Sequence, residues 1–542
     1  MFLRGKVCRG LLVVLLFNVM IFYATLRQAQ DERGRKKKKS QYKKIIDEYK
    51  KIKLEDVCLE NKNIKKDEFL FGVTTSSYQV EGPGGATDKK YNQWLDAVGQ
   101  TVEMEVDGKK EHKVIQDPLN ACEHWERYKE DIALIKNLGC NTYRFSISWG
   151  KLMPKENTYS KEVLDHYEDV CKELQKNNIK PIITLYHYAH PIWFEKKGAF
   201  EKEENIKDFV DYGIKVFERL NKYNPIWFTI NTFNGVSLHS YYVGTKPPFK
   251  KDMGLALKVL KHVLDAHVAF YRKAKAQKDK KTKKSIDSMI GIYKIVFPIE
   301  KYRSWQLWDN VGISFASKIN GEAIYDFFTK GELKISLGIP ALYIKDSIFY
   351  ENKEAIGALD CVGLNYYSGA YMSNFKVLSR KKNIPTKSKL LTIYPEGFYT
   401  ALHEVNDCLA KPLNVPIYVT ENGVATDNSE HRDVFYRSHL QMLSEAMKEG
   451  VDVRSYIVWS LMDNFNWTEG YGLNFGLYAV DKKTQKRTLK EGTQFLVDVI
   501  KKHNEKEIKP EIGVVDKKSQ DTGVTVPQIL CCDTTLSKTI IP

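Results

Sequence analysis

The sequence predicts an α/β protein built as a single (β/α)8 TIM barrel, preceded by an N-terminal hydrophobic anchor or signal segment. Three observations lead there. Eight short apolar runs recur between Phe69 and about Asn504, helix-period segments separate them, and no Gly-rich phosphate loop follows an early run as two doubly wound domains would require. The 542 residues are 43% hydrophobic and 12% aromatic, too apolar for a disordered chain and long enough for one large core.

The candidate strands are FLFGVTTSS (Phe69–Ser77), TYRFSIS (Thr142–Ser148), PIITLYH (Pro181–His187), IWFTIN (Ile226–Asn231), MIGIYKIVF (Met289–Phe297), DCVGLNYY (Asp360–Tyr367), PIYVTEN (Pro416–Asn422) and RSYIVWS (Arg454–Ser460). Each is rich in β-branched or aromatic residues and too short for a helix. ERYKEDIALIKNLG (Glu126–Gly139) precedes the second run, KEVLDHYEDVCKELQKNN (Lys161–Asn178) the third and HLQMLSEAMKEG (His439–Gly450) the eighth. These keep helical period and stop near Gly or Asn. The expected organisation is therefore 1–30 anchor or signal peptide, 31–66 basic linker, 67–504 barrel, and 505–542 a polar, Lys-rich tail.

A net charge of +16 invites a polyanion-binding reading until it is mapped. Residues 1–66 hold eighteen Lys/Arg against seven Asp/Glu, and Arg272–Lys284 holds eight basic residues and one acid, so the rest sums to about −2. Both runs read as solvated charge, and no nucleic-acid motif accompanies them. Nine cysteines, of which only Cys531 and Cys532 adjoin, form neither a disulfide scaffold nor a metal-ligand pattern.

In the leader, Arg4, Lys6 and Arg9 precede the apolar run Leu11–Leu26. Its sixteen residues would rise roughly 24 Å, slightly short of a roughly 30 Å hydrocarbon core. The following ATLRQAQDE is a poor cleavage site, which favours a single-pass membrane anchor through residues 11–26 over a cleaved secretory signal. Nine basic residues after the span against three before it would hold the body in the cytosol, and sidedness stays open. The single sequon, Asn466-Trp467-Thr468, falls in the expected site.

Chemistry in such a barrel belongs at the C-terminal ends of the strands. Gln79, Arg144, His187, Asn231, Asn365, Tyr367, Glu421 and Trp459 fall at or near those ends. Together they offer hydrogen-bonding groups and aromatic faces, as a small glycoside or oligosaccharide requires.

The segments FLFGVTTSSYQVEG, RYKEDIALIKNLGCNTYRFSISW, TLYH, WFTIN, VGLNYYS, IYVTENG and WSLMDNFNWTEGYGLNFGLYAVDKKTQKRTLK resemble glycoside hydrolase family 1, the family of β-glucosidases, lactase and myrosinases. The resemblance implies a retaining mechanism with Glu421 as nucleophile. Arg144 and Tyr367 match residues that hold that carboxylate ionised and aimed; Gln79, His187, Asn231 and Trp459 match glycone-binding positions. A retaining reaction needs two carboxyl groups about 5–5.5 Å apart, one attacking the anomeric carbon and one transferring protons.

The second carboxyl should follow Asn231, where the chain reads Asn231-Thr232-Phe233. Trp227 and Gly244 fit the family offsets without a gap, so Thr232 takes the acid/base position; a register slid by three would put Gly235 there. Neither transfers protons as a carboxylic acid does, and losing that group costs roughly 10²–10⁴-fold. A second departure is Asn466, before Trp467, where the family places a Glu that accepts from two glycone hydroxyls. The family's aglycone Trp is also replaced, by Leu391.

Three readings follow. The chain is a retaining O- or S-glycosyl hydrolase restricted to activated leaving groups, resembling myrosinases, with no cofactor beyond an external base such as ascorbate. Or it is a silent sugar- or protein-binding relative resembling the klotho proteins, with a protein partner. Or it recruits a carboxylate from elsewhere, such as Glu469. No metal and no nucleic acid enter any of them.

Overall fold

The computed structural model describes residues 38–278, 288–302, 307–336, 347–373 and 376–504. Eight parallel strands close a barrel: β1 (Leu70–Thr74), β2 (Thr142–Ser146), β3 (Lys180–Tyr186), β4 (Ile226–Ile230), β5 (Ile290–Ile295), β6 (Cys361–Tyr366), β7 (Ile417–Asn422) and β8 (Val453–Trp459). Each pairs with its neighbours in sequence, and β8 closes on β1 with Thr74 opposite Trp459. Every one of the eight predicted runs is a barrel strand. Most are buried along their whole length, as strands covered by helices on one side and barrel filling on the other must be.

The outer layer includes α1 (His124–Asn137), α2 (Lys161–Lys176), α3 (Ile206–Leu220), α4 (Met253–Lys275), α5 (Ala323–Lys330), α6 (Pro395–Val405), α7 (Ser429–Lys448) and α8 (Gln494–Asn504). Ser160 caps α2 by accepting from the Val163 amide, and Asn428 caps α7 by accepting from that of His431. The stretch Arg272–Lys284, read as solvated charge, begins inside a helix. Arg272, Lys273 and Lys275 form the last turn of α4, where cations complement the helix dipole, and residues 279–287 lie outside those described.

The segment 31–66, read as a linker, is described from residue 38. Residues 38–49 are helical, and Ile46, Ile52, Val57 and Leu59 are buried in the main core. Asn61 donates to Asp452 Oδ1 at 2.7 Å beside β8. The apolar run Leu11–Leu26, the Cys531–Cys532 pair and residues 505–542 lie outside the described residues. Among the described residues, no helix is long and apolar enough to cross a membrane.

Inside the barrel the filling is aromatic before it becomes polar. Phe228 of β4 stacks on Tyr293 of β5 at 4.1 Å between ring centroids. Gly363 of β6 makes room for that pair, since a Cβ there would collide with both rings. The upper face of Tyr293 then carries the guanidinium of Arg144, 3.8 Å from the centroid.

Candidate active site

Arg144 sits on β2, fully buried, in register with Thr74 of β1 and Ile182 of β3. A buried guanidinium must satisfy its N–H groups. Nε donates to the Tyr293 hydroxyl at 2.8 Å and to Thr184 Oγ1 at 3.3 Å. One terminal nitrogen donates to Glu421 Oε1 at 2.6 Å and to the Thr420 carbonyl at 3.0 Å. The other reaches Asn231 Oδ1 at 2.7 Å.

Glu421, next to last in β7, is 4% exposed. Its second oxygen accepts from the Tyr367 hydroxyl at 2.6 Å. Burial first, then the Glu421 charge, hold the Tyr367 phenol well above its ordinary pKa, so it stays a donor. The carboxylate is thus gripped from two sides by charge-assisted bonds.

Asn231, just past β4, links this pair to His187. Its Oδ1 also accepts from Asn365 Nδ2 at 3.1 Å, and its Nδ2 lies 3.0 Å from His187 Nε2. Burial, followed by the charges of Arg144 and Lys246, holds the His187 imidazole neutral. Nε2 is then the acceptor and Nδ1 carries the proton. That Nδ1 has no hydrogen-bond partner, and neither does Gln79 Oε1 on the short helix Ser77–Val80. A donor and an acceptor, both buried and unused, suit sugar hydroxyls.

The aromatic residues surround them. His187 lies 5.9 Å from the rings of both Trp459, which ends β8, and Trp467. Trp467 in turn stacks on Tyr78 at 5.5 Å. These contacts link Arg144, Glu421, Tyr367, Asn231, Asn365, His187, Trp459 and Trp467, whereas Gln79 donates to Asn464 Oδ1 at 3.1 Å and to the Phe465 carbonyl. Asn466 is close in sequence but spends its amide on the Asn464 carbonyl at 2.9 Å and the Leu473 carbonyl at 2.6 Å, bracing its own loop.

Thr232 caps the helix Phe233–Tyr241 with φ of 49°, and its Oγ1 accepts from Asn365 Nδ2 at 3.3 Å. Asn365 Oδ1 meanwhile accepts from Thr420 Oγ1 at 2.7 Å, so one amide spans from Thr232 to the residue beside Glu421. Gly235, the slid-register alternative, packs against the Tyr188 hydroxyl and the Thr232 methyl with no space for a side chain. Glu469 forms an ion pair with Lys113 at 3.2 Å, on the strand Lys109–Val114 of a hairpin with Thr101–Val106.

Sequence reasoning passed over Tyr293, Tyr188 and Lys246. Tyr293 is hidden within an apolar strand, where only the inward parity it shares with Gly291 and Ile295 marks it. Lys246 lies two residues beyond the Gly244 turn, in a stretch read only for its glycine.

The chain matches the profile of Glycosyl hydrolase family 1 over residues 61–505. It is 30% identical to Beta-glucosidase A of Thermotoga maritima over 470 residues, covering 81% of this chain and 98% of that protein. It is 28% identical to a 6-phospho-beta-galactosidase of Clostridium acetobutylicum, covering 78% and 94%. Among solved structures, a beta-glucosidase from Exiguobacterium marinum aligns with a TM-score of 0.69 at 29% identity, covering 82% of this chain and all (100%) of that one. The Thermotoga maritima beta-glucosidase in complex with glucoimidazole aligns at 0.67 and 28%, covering 81% and 98%.

Proposed function

The chain belongs to glycosyl hydrolase family 1, and from that premise we propose that it is a retaining β-glycosidase in which Glu421 attacks the anomeric carbon of a small glycoside. The observation that carries this reading is the double grip on Glu421 by Arg144 and Tyr367, both at 2.6 Å. A buried carboxylate is costly to hold. Here it lies at the C-terminal end of β7, and His187 Nδ1 and Gln79 Oε1 are a buried donor and acceptor left without partners.

Glu421 would displace the aglycone to form a glycosyl ester, and water would then cleave that ester with net retention. Thr232 has no ionisable proton to give to a leaving oxygen. The reaction is therefore confined to aglycones that leave unassisted, with deglycosylation served by an external base such as ascorbate, unless another side chain moves the proton.

The test is covalent. An activated 2-deoxy-2-fluoroglycoside should label Glu421 stoichiometrically, as read by peptide mass; no labelling at millimolar probe rejects the nucleophile.

One observation favours a second reading, a sugar- or protein-binding relative without turnover: Asn466 is committed to its own loop. That reading requires sugar-induced thermal stabilisation with no labelling.

We further propose that Leu11–Leu26 directs the chain to a membrane, as an anchor or a secretory signal. Its support is the basic–apolar–basic pattern alone, and protease protection in intact cells checks both the insertion and the side on which the barrel lies.

A further inference from the structure

Lys246 is half-buried in the loop that follows the helix Phe233–Tyr241. Its ammonium stands 3.2 Å from the centroid of the Tyr188 ring and 5.6 Å from that of Trp467. Three other withdrawn lysines have carboxylates: Lys151 has Glu81 at 3.0 Å, Lys490 has Asp463 at 2.6 Å and Lys294 has Glu404 at 3.6 Å. Lys246 has neither an ion pair nor a side-chain hydrogen bond with any described residue. The hydroxyl at the far end of the Tyr188 ring and the Thr232 methyl converge on Gly235, 2.3 Å and 3.1 Å from where a Cβ there would lie. The free ammonium therefore lies one aromatic ring away from the position that lacks its proton donor.

We propose that Lys246 carries out the proton transfers that Thr232 cannot, as general acid and then general base of a retaining reaction at Glu421. This rests on the reading of Glu421 as nucleophile and names the group that would release the chain from activated substrates. In the first step the Glu421 carboxylate bonds to the anomeric carbon and the glycosidic C–O bond breaks. The departing oxygen takes a proton from the Lys246 ammonium and leaves as an alcohol. In the second step the neutral amine takes a proton from water as its oxygen bonds to the anomeric carbon. Glu421 departs as carboxylate and the ammonium is restored.

A lysine of ordinary basicity could not alternate in this way. Burial, opposed only by the Glu421 charge, lowers the Lys246 pKa to about 7, where both forms are populated at neutrality. The facing groups do not compete there. His187 is held well below its ordinary value and His239 near about 3, both by burial first; the Tyr188 phenol is held up by burial, and Arg144 stays charged. The flexible four-carbon stem carries three rotatable donors, so the ammonium is not tied to the ring face.

The test uses the full chain with an activated aryl β-glycoside and an alkyl β-glycoside of the same glycone. Lys246→Met and Lys246→Arg should each lose roughly 10²–10⁴-fold in kcat/KM on the alkyl substrate. Both should form the aryl glycosyl-enzyme within a few-fold of the parent rate, and azide should restore turnover as β-glycosyl azide. Lys246→Arg keeps the charge but not the titration, so parent rates in that variant would overturn the proposal, as would an unchanged Lys246→Met. Should Lys246→Met fail to fold, Lys246→Arg and the parent pH profile decide, because alkyl-glycoside kcat/KM flat from about pH 6 to 9 also overturns it. Failure of the 2-fluoro probe to label Glu421 in the parent is a separate outcome, which removes the nucleophile reading and the proposal with it.

Discussion

The guanidinium of Arg144 bonds the Glu421 carboxylate at 2.6 Å while its face lies 3.8 Å above the Tyr293 ring. One residue thus joins the apolar filling of the barrel to the reacting end. Its plane packs like a core side chain, and its edge distributes hydrogen bonds to β3, β5, β7 and Asn231 just past β4.

Removing that cation should be felt first in folding. Arg144→Met leaves Glu421 buried without its counter-charge, and loss of one partner of a buried pair costs about 3–5 kcal/mol. Urea unfolding should show this loss, and Arg144→Lys should recover less than half of it, because an ammonium cannot reproduce the planar fork.

Tyr367→Phe tests aim at fixed charge. The lost 2.6 Å bond to a carboxylate is worth about 1.5–3 kcal/mol. Labelling of Glu421 by the 2-fluoro probe should slow by roughly 10–100-fold, and the urea unfolding midpoint should fall, by less than for Arg144→Met.

Lys246 should also leave a mark on stability against pH. Its folded pKa, about 7, is below the ordinary 10.5. The unfolded chain therefore binds the extra proton, and the penalty is full below about pH 7 and fades as pH rises toward 10.5. Lys246→Met should melt higher than the parent at pH 6, with the difference shrinking at pH 9.5; a difference that grows with pH contradicts the burial.

Thr232→Glu restores a carboxyl where the register places one. Made in Lys246→Met, it should raise alkyl-glycoside kcat/KM by roughly 10²–10⁴-fold. Made in the parent, it should give less than tenfold, since Lys246 already transfers the proton. Equal gains in both backgrounds would show that no substitute acid was at work.

Asn466→Glu should not simply improve glycone binding. The two carbonyls now served by the Asn466 amide would lose their donor, at about 1–3 kcal/mol for groups left unsatisfied. Differential scanning fluorimetry should show a lower melting temperature and no gain in stabilisation by added monosaccharide.

The barrel was legible because its strands are buried on both faces and so appear as unbroken apolar runs between amphipathic helices. The ends of those runs were legible for the converse reason: polar residues such as Asn365 and Glu421 interrupt a strand only where something is to be bound. Asn466 shows the limit of that logic. Its type announced an acceptor and a donor for a sugar, but which neighbour an amide satisfies is decided by loop geometry. Lys246 shows the opposite failure, since a lysine after a glycine turn looks like solvated charge until the fold lays aromatic rings beneath it. Packing also overrode composition in residues 38–66, where basic residues conceal the hydrophobic set of Ile46, Ile52, Val57 and Leu59.

Thr232 keeps the left-handed backbone, at φ of 49°, that joins β4 to the following helix. A β-branched residue enters that region rarely, and holding it there costs on the order of 1–3 kcal/mol. The surrounding barrel bears this whatever side chain is present, so an unbranched replacement such as glutamate brings no added backbone burden. On the proposed reading, the backbone at residue 232 sets no bar to the side chain that would decide how a leaving group departs, and what a carboxyl there would cost is set by its burial and its bond to Asn365.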